Sequence, residues 1–238
     1  MTVIRSRDNP KVKRWARLVA DGRFRRKEGR AIIEGPHLLA ACLERGWKPV
    51  AIFSSDTHAG VCPIVLSDRV FRSIVDAETP QGIAAEIEIP RSPKEEDPLV
   101  YLEGVQDPGN VGAIIRTAAA FGIKTVCLDK DCADPWSPKV LRAGMGGHFL
   151  LNLLEGSPLD FSGKLVCTVA KGGTPLSTAD LSGRFAWVFG SEGRGVSPEV
   201  QRKAAVRVTI PTDAGTESLN VAAAAAICLY VAYRRSAA

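Results

Sequence analysis

Three polar, glycine-bearing turns hold the residue types from which chemistry can be built in this 238-residue chain. The first, Glu103-Gly104-Val105-Gln106-Asp107-Pro108-Gly109-Asn110-Val111-Gly112, leads into a segment carrying Arg116; the second is Phe189-Gly190-Ser191-Glu192-Gly193-Arg194-Gly195. The third runs from Ile210-Pro211 through Glu217-Ser218-Leu219-Asn220 into an alanine-rich stretch without charge until Arg234. Each follows an apolar run that reads as a strand. In an open parallel sheet, ligands sit beyond the carboxyl ends of strands, so three such turns can converge on one pocket. The third turn also opens a helix, whose unpaired N–H groups suit a ligand; by itself it is equally the capped start of a buried helix. Arg116 stands among Ile114, Ile115, Ala118 and Ala119, and a guanidinium there needs anionic or carbonyl partners, as a structural ion pair or as an anion clamp.

Other chemistries find little support. Gly193-Arg194-Gly195 has neither the G-x-G-x-x-G spacing of a dinucleotide fold nor the G-x-x-x-x-G-K of a P-loop. His37, His58 and His148 lie outside the three turns, so no Ser-His-Asp set is evident. The six cysteines, Cys42, Cys62, Cys127, Cys132, Cys167 and Cys228, include no Cys-x-x-Cys pair and no histidine at metal spacing. They read as reduced core thiols, and no metal is expected.

The elements that must position the turns follow from Leu99 onward. Apolar runs predict strands at Leu99 to Leu102, Lys124 to Leu128, Phe149 to Leu154, Leu165 to Ala170, Ala186 to Phe189 and Val206 to Ile210. Helices are predicted at Val111 to Phe121, Pro138 to Met145, Pro198 to Lys203 and Leu219 to Arg234. Upstream, Ala31 to Ile33, a helix from Pro36 to a Gly46 stop, Val50 to Phe53, Val61 to Leu66, a helix at Phe71 to Val75 and Ile83 to Ile89 form a smaller α/β unit. Between them, Pro90 to Pro98 combines prolines with a charge run and marks a boundary, giving domains 1–94 and 97–238.

Charge is unevenly placed. The net charge is +5, from 31 Lys plus Arg against 26 Asp plus Glu, and much of the excess lies in the first thirty residues. Arg7, Lys11, Arg14, Arg23, Arg25 and Arg26 are candidate nucleic-acid contacts, with Trp15 and Phe24 interleaved to pack or stack. The plainer alternative is a solvated helix face with Trp15 and Leu18 as its buried stripe. The apolar run Leu219 to Tyr233 is short of the ~20 residues of a membrane span. The basic start has no apolar signal region, so the cytoplasm is the expected location.

Asn110-Val111-Gly112-Ala113-Ile114-Ile115-Arg116-Thr117-Ala118, Phe189 through Ser197, and Ile210-Pro211 through Glu217-Ser218-Leu219-Asn220-Val221 resemble the three motifs of the SpoU/TrmH branch of the SPOUT RNA methyltransferases, in order and spacing. The likeness covers Leu99 to the C-terminus. Ser6-Arg7-Asp8-Asn9-Pro10, Glu34-Gly35-Pro36 and Thr79-Pro80-Gln81-Gly82 are similar to the L30e-like α/β substrate-binding domain that precedes it in many members.

The resemblance implies a knotted (trefoil) parallel-sheet methyltransferase domain behind the small L30e-like domain, acting as a homodimer. It implies transfer of a methyl group from S-adenosylmethionine to a ribose 2'-hydroxyl of structured RNA, ribosomal RNA before tRNA. A non-catalytic RNA-binding protein that kept the fold is the alternative. By motif, Gly190, Ile210 and Leu219 hold the methyl donor, with Glu192, Ser218 and Asn220 lining the pocket and sharing in catalysis. Asn110 and Arg116 face the ribose and its phosphate, with Arg116 either base or phosphate clamp, since an arginine side chain is hard to deprotonate. Two departures stand out: Thr212, where the family commonly has Met, and the glycine-rich Gly144-Met145-Gly146-Gly147, expected to loosen a loop near the dimer contact.

Overall fold

The computed structural model describes residues 3–58, 62–91, 95–213, 215 and 218–236. Val61, Ser92 to Lys94, Ala214, Thr216 and Glu217, used above in a strand, the boundary and the third turn, lie outside the described residues. The chain separates into two compact units, Met1–Ser92 with Asp134–Phe149, and Pro93–Ala133 with Leu150–Ala238. Residues 134–149, which the sequence assigns to the second domain, therefore cluster with the first unit.

In chain order the first unit contains β1 (Val3–Ile4), α1 (Pro10–Ala20), α2 (Gly22–Glu28), β2 (Arg30–Glu34), α3 (Pro36–Glu44), β3 (Ala51–Ser55), β4 (Ile64–Leu66), α4 (Asp68–Phe71) and β5 (Ile83–Glu88). Its five-stranded mixed sheet runs β1-β4-β3-β5-β2, with β5 antiparallel to both β2 and β3. Pro10 stands in the first turn of α1 and Asn9 caps it by accepting from the Lys11 N–H, so the helix starts where the sequence supplies both signals. Val12, Trp15 and Leu18, three or four residues apart, form its buried stripe. Trp15 stacks on Phe53 at 4.3 Å between ring centroids, and Phe53 meets Phe71 edge-on at 6.2 Å. Burying each such side chain stabilises the fold by roughly 1.5–3 kcal/mol. The short helix predicted at Phe71 to Val75 forms earlier, because Ser67 stands at its N-cap position and places Val70 and Phe71 on the core face.

The second unit continues with β6 (Leu99–Glu103), α5 (Pro108–Ala120) and β7 (Thr125–Leu128); α6 (Pro138–Gly144) belongs to the first unit and packs on β2. Then come β8 (Asn152–Glu155), β9 (Lys164–Thr168), β10 (Thr174–Pro175), β11 (Phe185–Gly190), α7 (Pro198–Lys203), β12 (Val206–Thr209) and α8 (Val221–Ser236). The seven strands are ordered β10-β12-β9-β11-β6-β7-β8, and each neighbouring pair is parallel. The apolar runs read as sheet-centre strands are buried: Leu99 to Leu102 and Ala186 to Phe189 are at most 3% exposed. Phe149, predicted to open a strand, instead ends a short turn after Gly146 and Gly147 and packs its ring against Trp47 at 5.2 Å.

The glycine-rich stretch after α6 is conformationally required rather than loose. Met145 takes the left-handed conformation at φ 47°, Gly146 follows at φ +88°, and a Cβ on Gly146 would sit 2.9 Å from that of Ala41. Among the described residues no helix is long and apolar enough to cross a membrane.

Candidate active site

All strands of the second sheet point one way, so the turns after β6, β11 and β12 leave from the same carboxyl edge. β6 and β11 are adjacent, Gly190 lying opposite Glu103 at their ends. Two carboxylates fix these turns. Asp129, just past β7, accepts from the Gly104 N–H with both oxygens (3.1 and 3.0 Å), and Glu103 accepts from the Ser197 N–H at 2.8 Å. Neither was singled out from sequence, though a lone acid at the end of an apolar strand run is the signal that marks both.

The second turn folds tightly back on its own strand. Ser191 and Gly195 bridge, the Gly195 N–H donating to the Ser191 carbonyl at 2.8 Å. A Cβ at Gly190 would lie 2.1 Å from the backbone carbon of Gly195, so only glycine admits this return. Glu192 is thereby held out at the tip, exposed to solvent.

The first and third turns each deliver an asparagine at a helix start. Asp107 caps α5 by accepting from the Asn110 N–H at 2.8 Å. Asn220 caps α8, its Oδ1 accepting from the N–H groups of Ala222 (2.9 Å) and Ala223 (3.2 Å). Asn220 Nδ2 then donates to Asn110 Oδ1 at 3.0 Å, and Asn110 Nδ2 donates to Glu192 Oε1 at 2.5 Å. One run of hydrogen bonds thus joins all three turns. Its polarity has a single solution: helix N–H groups can only donate and a carboxylate can only accept, so both amides are oriented.

The remaining sequence-selected residues divide. Ile210 and Leu219 are half-buried at the same edge, and the backbone of neither enters a backbone hydrogen bond with another described residue. Ser218 and Thr212 are exposed, and Ser218 makes no hydrogen bond to a described residue. Arg116 is also exposed, with no hydrogen bond or ion pair to a described residue, so its isoleucine and alanine neighbours do not enclose it. It lies six residues beyond Asn110 on α5, about 9 Å along the axis and about 120° around it, outside the amide run.

Cys132 sits beside this edge, its thiol donating to the Leu102 carbonyl at 3.3 Å. Burial, reinforced by the adjacent Asp129, pushes it up to about 12, so it stays a thiol and offers no nucleophile at neutral pH. Burial likewise raises Cys127 and Cys228 to about 12 and Cys167 to about 11.

The donor set suits S-adenosylmethionine. Glu192 is anionic, the two amides are neutral, and no described cation is bonded to them, which accommodates a sulfonium. The backbone groups of Ile210 and Leu219 remain without a backbone partner among the described residues, as a site for the polar remainder of such a molecule requires.

The basic segment of the first unit is only partly available to a ligand. Arg7, Lys11, Arg23 and Arg26 are exposed. Arg25 is 4% exposed, donating to the carbonyls of Leu18 (2.6 Å) and Val19 (2.8 Å) and to Asp134 Oδ2 (2.7 Å), so it braces the unit instead of facing solvent. Arg14 is held by Glu86 at 2.7 Å and Glu28 at 3.4 Å. Trp15 is buried with Nε1 donating to Glu86, and Phe24 is covered by Arg17 at 4.2 Å. Those two aromatics therefore present no open stacking face.

The three turns that meet at this carboxyl edge are the three segments that resemble the SPOUT methyltransferase motifs, and the comparisons place the chain in that class. The chain belongs to the SpoU rRNA Methylase family, whose profile matches residues 97–230, and an MRM3-like substrate binding domain matches residues 9–85. It is 34% identical over 245 aligned positions to the 23S rRNA (guanosine(2553)-2'-O)-methyltransferase RlmP of Bacillus subtilis, covering 97% of this chain and 98% of that protein. It is 32% identical to the 23S rRNA (guanosine-2'-O-)-methyltransferase RlmB of Coxiella burnetii over 72% of this chain and 77% of that one. The AdoMet-bound rRNA methyltransferase from Sinorhizobium meliloti superposes with a TM-score of 0.86 at 28% identity, covering 98% of each chain.

Proposed function

We propose that the protein methylates a ribose 2'-hydroxyl of ribosomal RNA, using S-adenosylmethionine. The observation that carries this reading is the hydrogen-bonded run Glu192–Asn110–Asn220, which assembles residues more than a hundred positions apart into one oriented site. A protein that had shed catalysis and kept only the fold would not need this precision. A relative named for 23S rRNA 2'-O-methylation and aligned over 97% of this chain, with a second over 72%, favours ribosomal RNA over tRNA.

The bound donor supplies a methyl group on a positively charged sulfur, open to in-line displacement. The chain's own part is alignment. The turn at Gly190, with the backbone of Ile210 and Leu219, forms the donor's walls, and Glu192 faces its positive charge. Ser218 closes the exposed side. Asn110, with its amide fixed from both ends, orients the ribose. Arg116, without a partner among the described residues and outside the run, clamps the adjacent phosphate and stabilises negative charge developing on the hydroxyl oxygen. Alignment of this kind supplies several kcal/mol of barrier reduction, roughly 7–11 in favourable intramolecular cases.

Residues 1–94 act as the RNA-recognition domain, through Arg7, Lys11, Arg23 and Arg26, and residues 97–238 as the catalytic domain. The catalytic domain forms a homodimer through α8, where Ile227, Tyr230 and Tyr233 are 38%, 50% and 47% exposed on an otherwise alanine-rich helix. Work proceeds in the cytoplasm, where ribosomal RNA is made and assembled.

The test is a map of ribose methylation across total RNA, by protection from alkaline hydrolysis, with and without the protein. A new protected position in large-subunit ribosomal RNA is expected. Protection in tRNA alone would overturn the substrate, and no detectable binding of S-adenosylmethionine by calorimetry would overturn the enzyme reading.

A further inference from the structure

The aromatics named from sequence have no free face, but another tryptophan in the first unit, Trp47, is only partly buried and lines an open recess. α3 ends in a complete C-terminal cap: Gly46 takes φ +76°, its N–H donates to the Leu43 carbonyl at 3.0 Å, and the Trp47 N–H donates to the Cys42 carbonyl at 3.1 Å. This fixes the Trp47 backbone. One part of its ring is braced by Phe149, edge-on at 5.2 Å, and by Trp136 at 6.2 Å. The ring also lines an open recess of about 440 Å³ with Lys48, Glu88, Ile89, Pro90 and Arg91.

The charges around this recess are informative. Glu88 is neutralised by Arg30 at 2.8 Å. The side chains of Lys48 and Arg91 are exposed and enter no hydrogen bond or ion pair with a described residue. Arg91 lies against Gly29, where a Cβ would stand 3.4 Å from its Nε. Gly29 in turn ends α2, whose last turn carries Arg26 and Lys27. Arg91 thus lies beside the end of α2 and also lines the recess that Trp47 lines.

We propose that this recess receives one unpaired nucleobase of the RNA substrate, stacked on Trp47, with Lys48 and Arg91 neutralising the flanking phosphates. The inference rests on the proposed RNA methyltransferase function. Single-stranded RNA is held in this way: bases stack on aromatic faces whatever their identity, while cations follow the backbone. A braced tryptophan beside two cations that have no partner among the described residues is the combination this requires.

The experiment uses full-length protein and deproteinised ribosomal RNA transcribed with 4-thiouridine. After irradiation, cross-linked peptides are sequenced by mass spectrometry, and affinities are measured by filter binding across a salt series. The wild type should cross-link through the peptide that contains Trp47. Trp47→Leu, which keeps apolar contact with Phe149 and Trp136, should bind about tenfold more weakly or worse, and Trp47→Phe should recover most of the loss. Lys48→Ala combined with Arg91→Ala should flatten the log–log salt slope by about 1.4, for two contacts on a single strand. Wild-type affinity in Trp47→Leu, with ribosomal RNA still bound, would overturn this inference and leave the proposed function standing. Failure of the wild type to bind ribosomal RNA would overturn both.

Discussion

Asn220 holds two jobs that substitution can separate. Its Oδ1 caps α8 through the Ala222 and Ala223 N–H groups, and its Nδ2 orients Asn110 at 3.0 Å. Asn220→Ala removes both. Loss of the cap costs about 1 kcal/mol, within a range of roughly 0.5–2, and loss of the solvent-exposed amide pair adds about 0.5 kcal/mol. For a chain of this size, melting should fall by roughly 3–6 °C. Asn220→Ser retains an N-cap oxygen and should melt within about 2 °C of wild type. The Ser side chain is too short to donate to Asn110, whose amide is then free to rotate away from the ribose. Both variants should therefore lose on the order of 100-fold in kcat/KM, the scale of a misplaced reacting group. The paired assays are thermal melting and single-turnover methyl transfer to the mapped ribosomal RNA site. Near wild-type turnover in Asn220→Ser would show that the residue acts only as a helix cap, and the site would lose its link to the third turn.

Gly190→Ala should weaken S-adenosylmethionine binding at least tenfold by calorimetry, because the new Cβ falls 2.1 Å from Gly195 backbone and the turn must open. Arg25→Ala should destabilise the first unit by about 3–5 kcal/mol in urea unfolding by stranding half-buried Asp134, whereas Arg26→Ala should leave stability unchanged and reduce the salt slope of RNA binding by about 0.7. Arg116→Lys should keep its charge but lose the planar fork, so a methyl-transfer rate close to wild type would refute the phosphate-clamp role. Buried His148 has its pKa lowered from 6.5 to about 4 by desolvation, so the unfolded state binds more protons between those values. Its contribution to stability is complete above about pH 6.5 and is lost as pH falls toward 4. His148→Gln should remove that part of the pH dependence, as read from urea midpoints at pH 7 and pH 5.

The sheet edge was legible because its signals are local. Apolar runs announce the strands, and Pro-Gly and Gly-Ser dipeptides announce the turns. The helix predicted from Leu219 starts two residues later, at Val221, which leaves Asn220 at the cap of a segment without charge until Arg234. What was not legible depends on partners distant in the chain. Arg25 reads like Arg23 and Arg26 until the fold brings Asp134 within 2.7 Å of it. Trp15 reads either as a stacking aromatic or as part of a buried helix stripe, and Glu86 and Phe53 decide for the stripe, while Trp47, in an unremarked turn, gains its bracing from Trp136 and Phe149. Residues 134–149 carry no compositional break that would transfer them to the first unit. The trefoil path implied by the family resemblance is a course of the chain through space, and no periodicity of residues encodes it.

The packing of α5 on α8 explains why the site can be accurate although its residues lie in exposed turns. Both helices begin at the carboxyl edge of the sheet, Asn110 in the first turn of α5 and Asn220 immediately before α8. Eleven residues beyond Asn110, Phe121 meets Tyr230 at 5.7 Å and Tyr233 at 5.8 Å, which lie ten and thirteen residues beyond Asn220. Nearly equal sequence distances from the two asparagines, eleven on α5 against ten and thirteen on α8, mean that the two helices run side by side in register, over about 16 Å at 1.5 Å per residue. Sliding one helix along the other would have to break the aromatic contacts at one end and the amide pair at the other. The separation of the two asparagines is thus set by the stiffness of two packed helices. Gly190 performs the same service for Glu192, holding it through a turn that closes directly on the sheet. Alignment then comes from regular elements, and the turns supply only the side chains, which is the division of labour that a reaction driven by positioning requires.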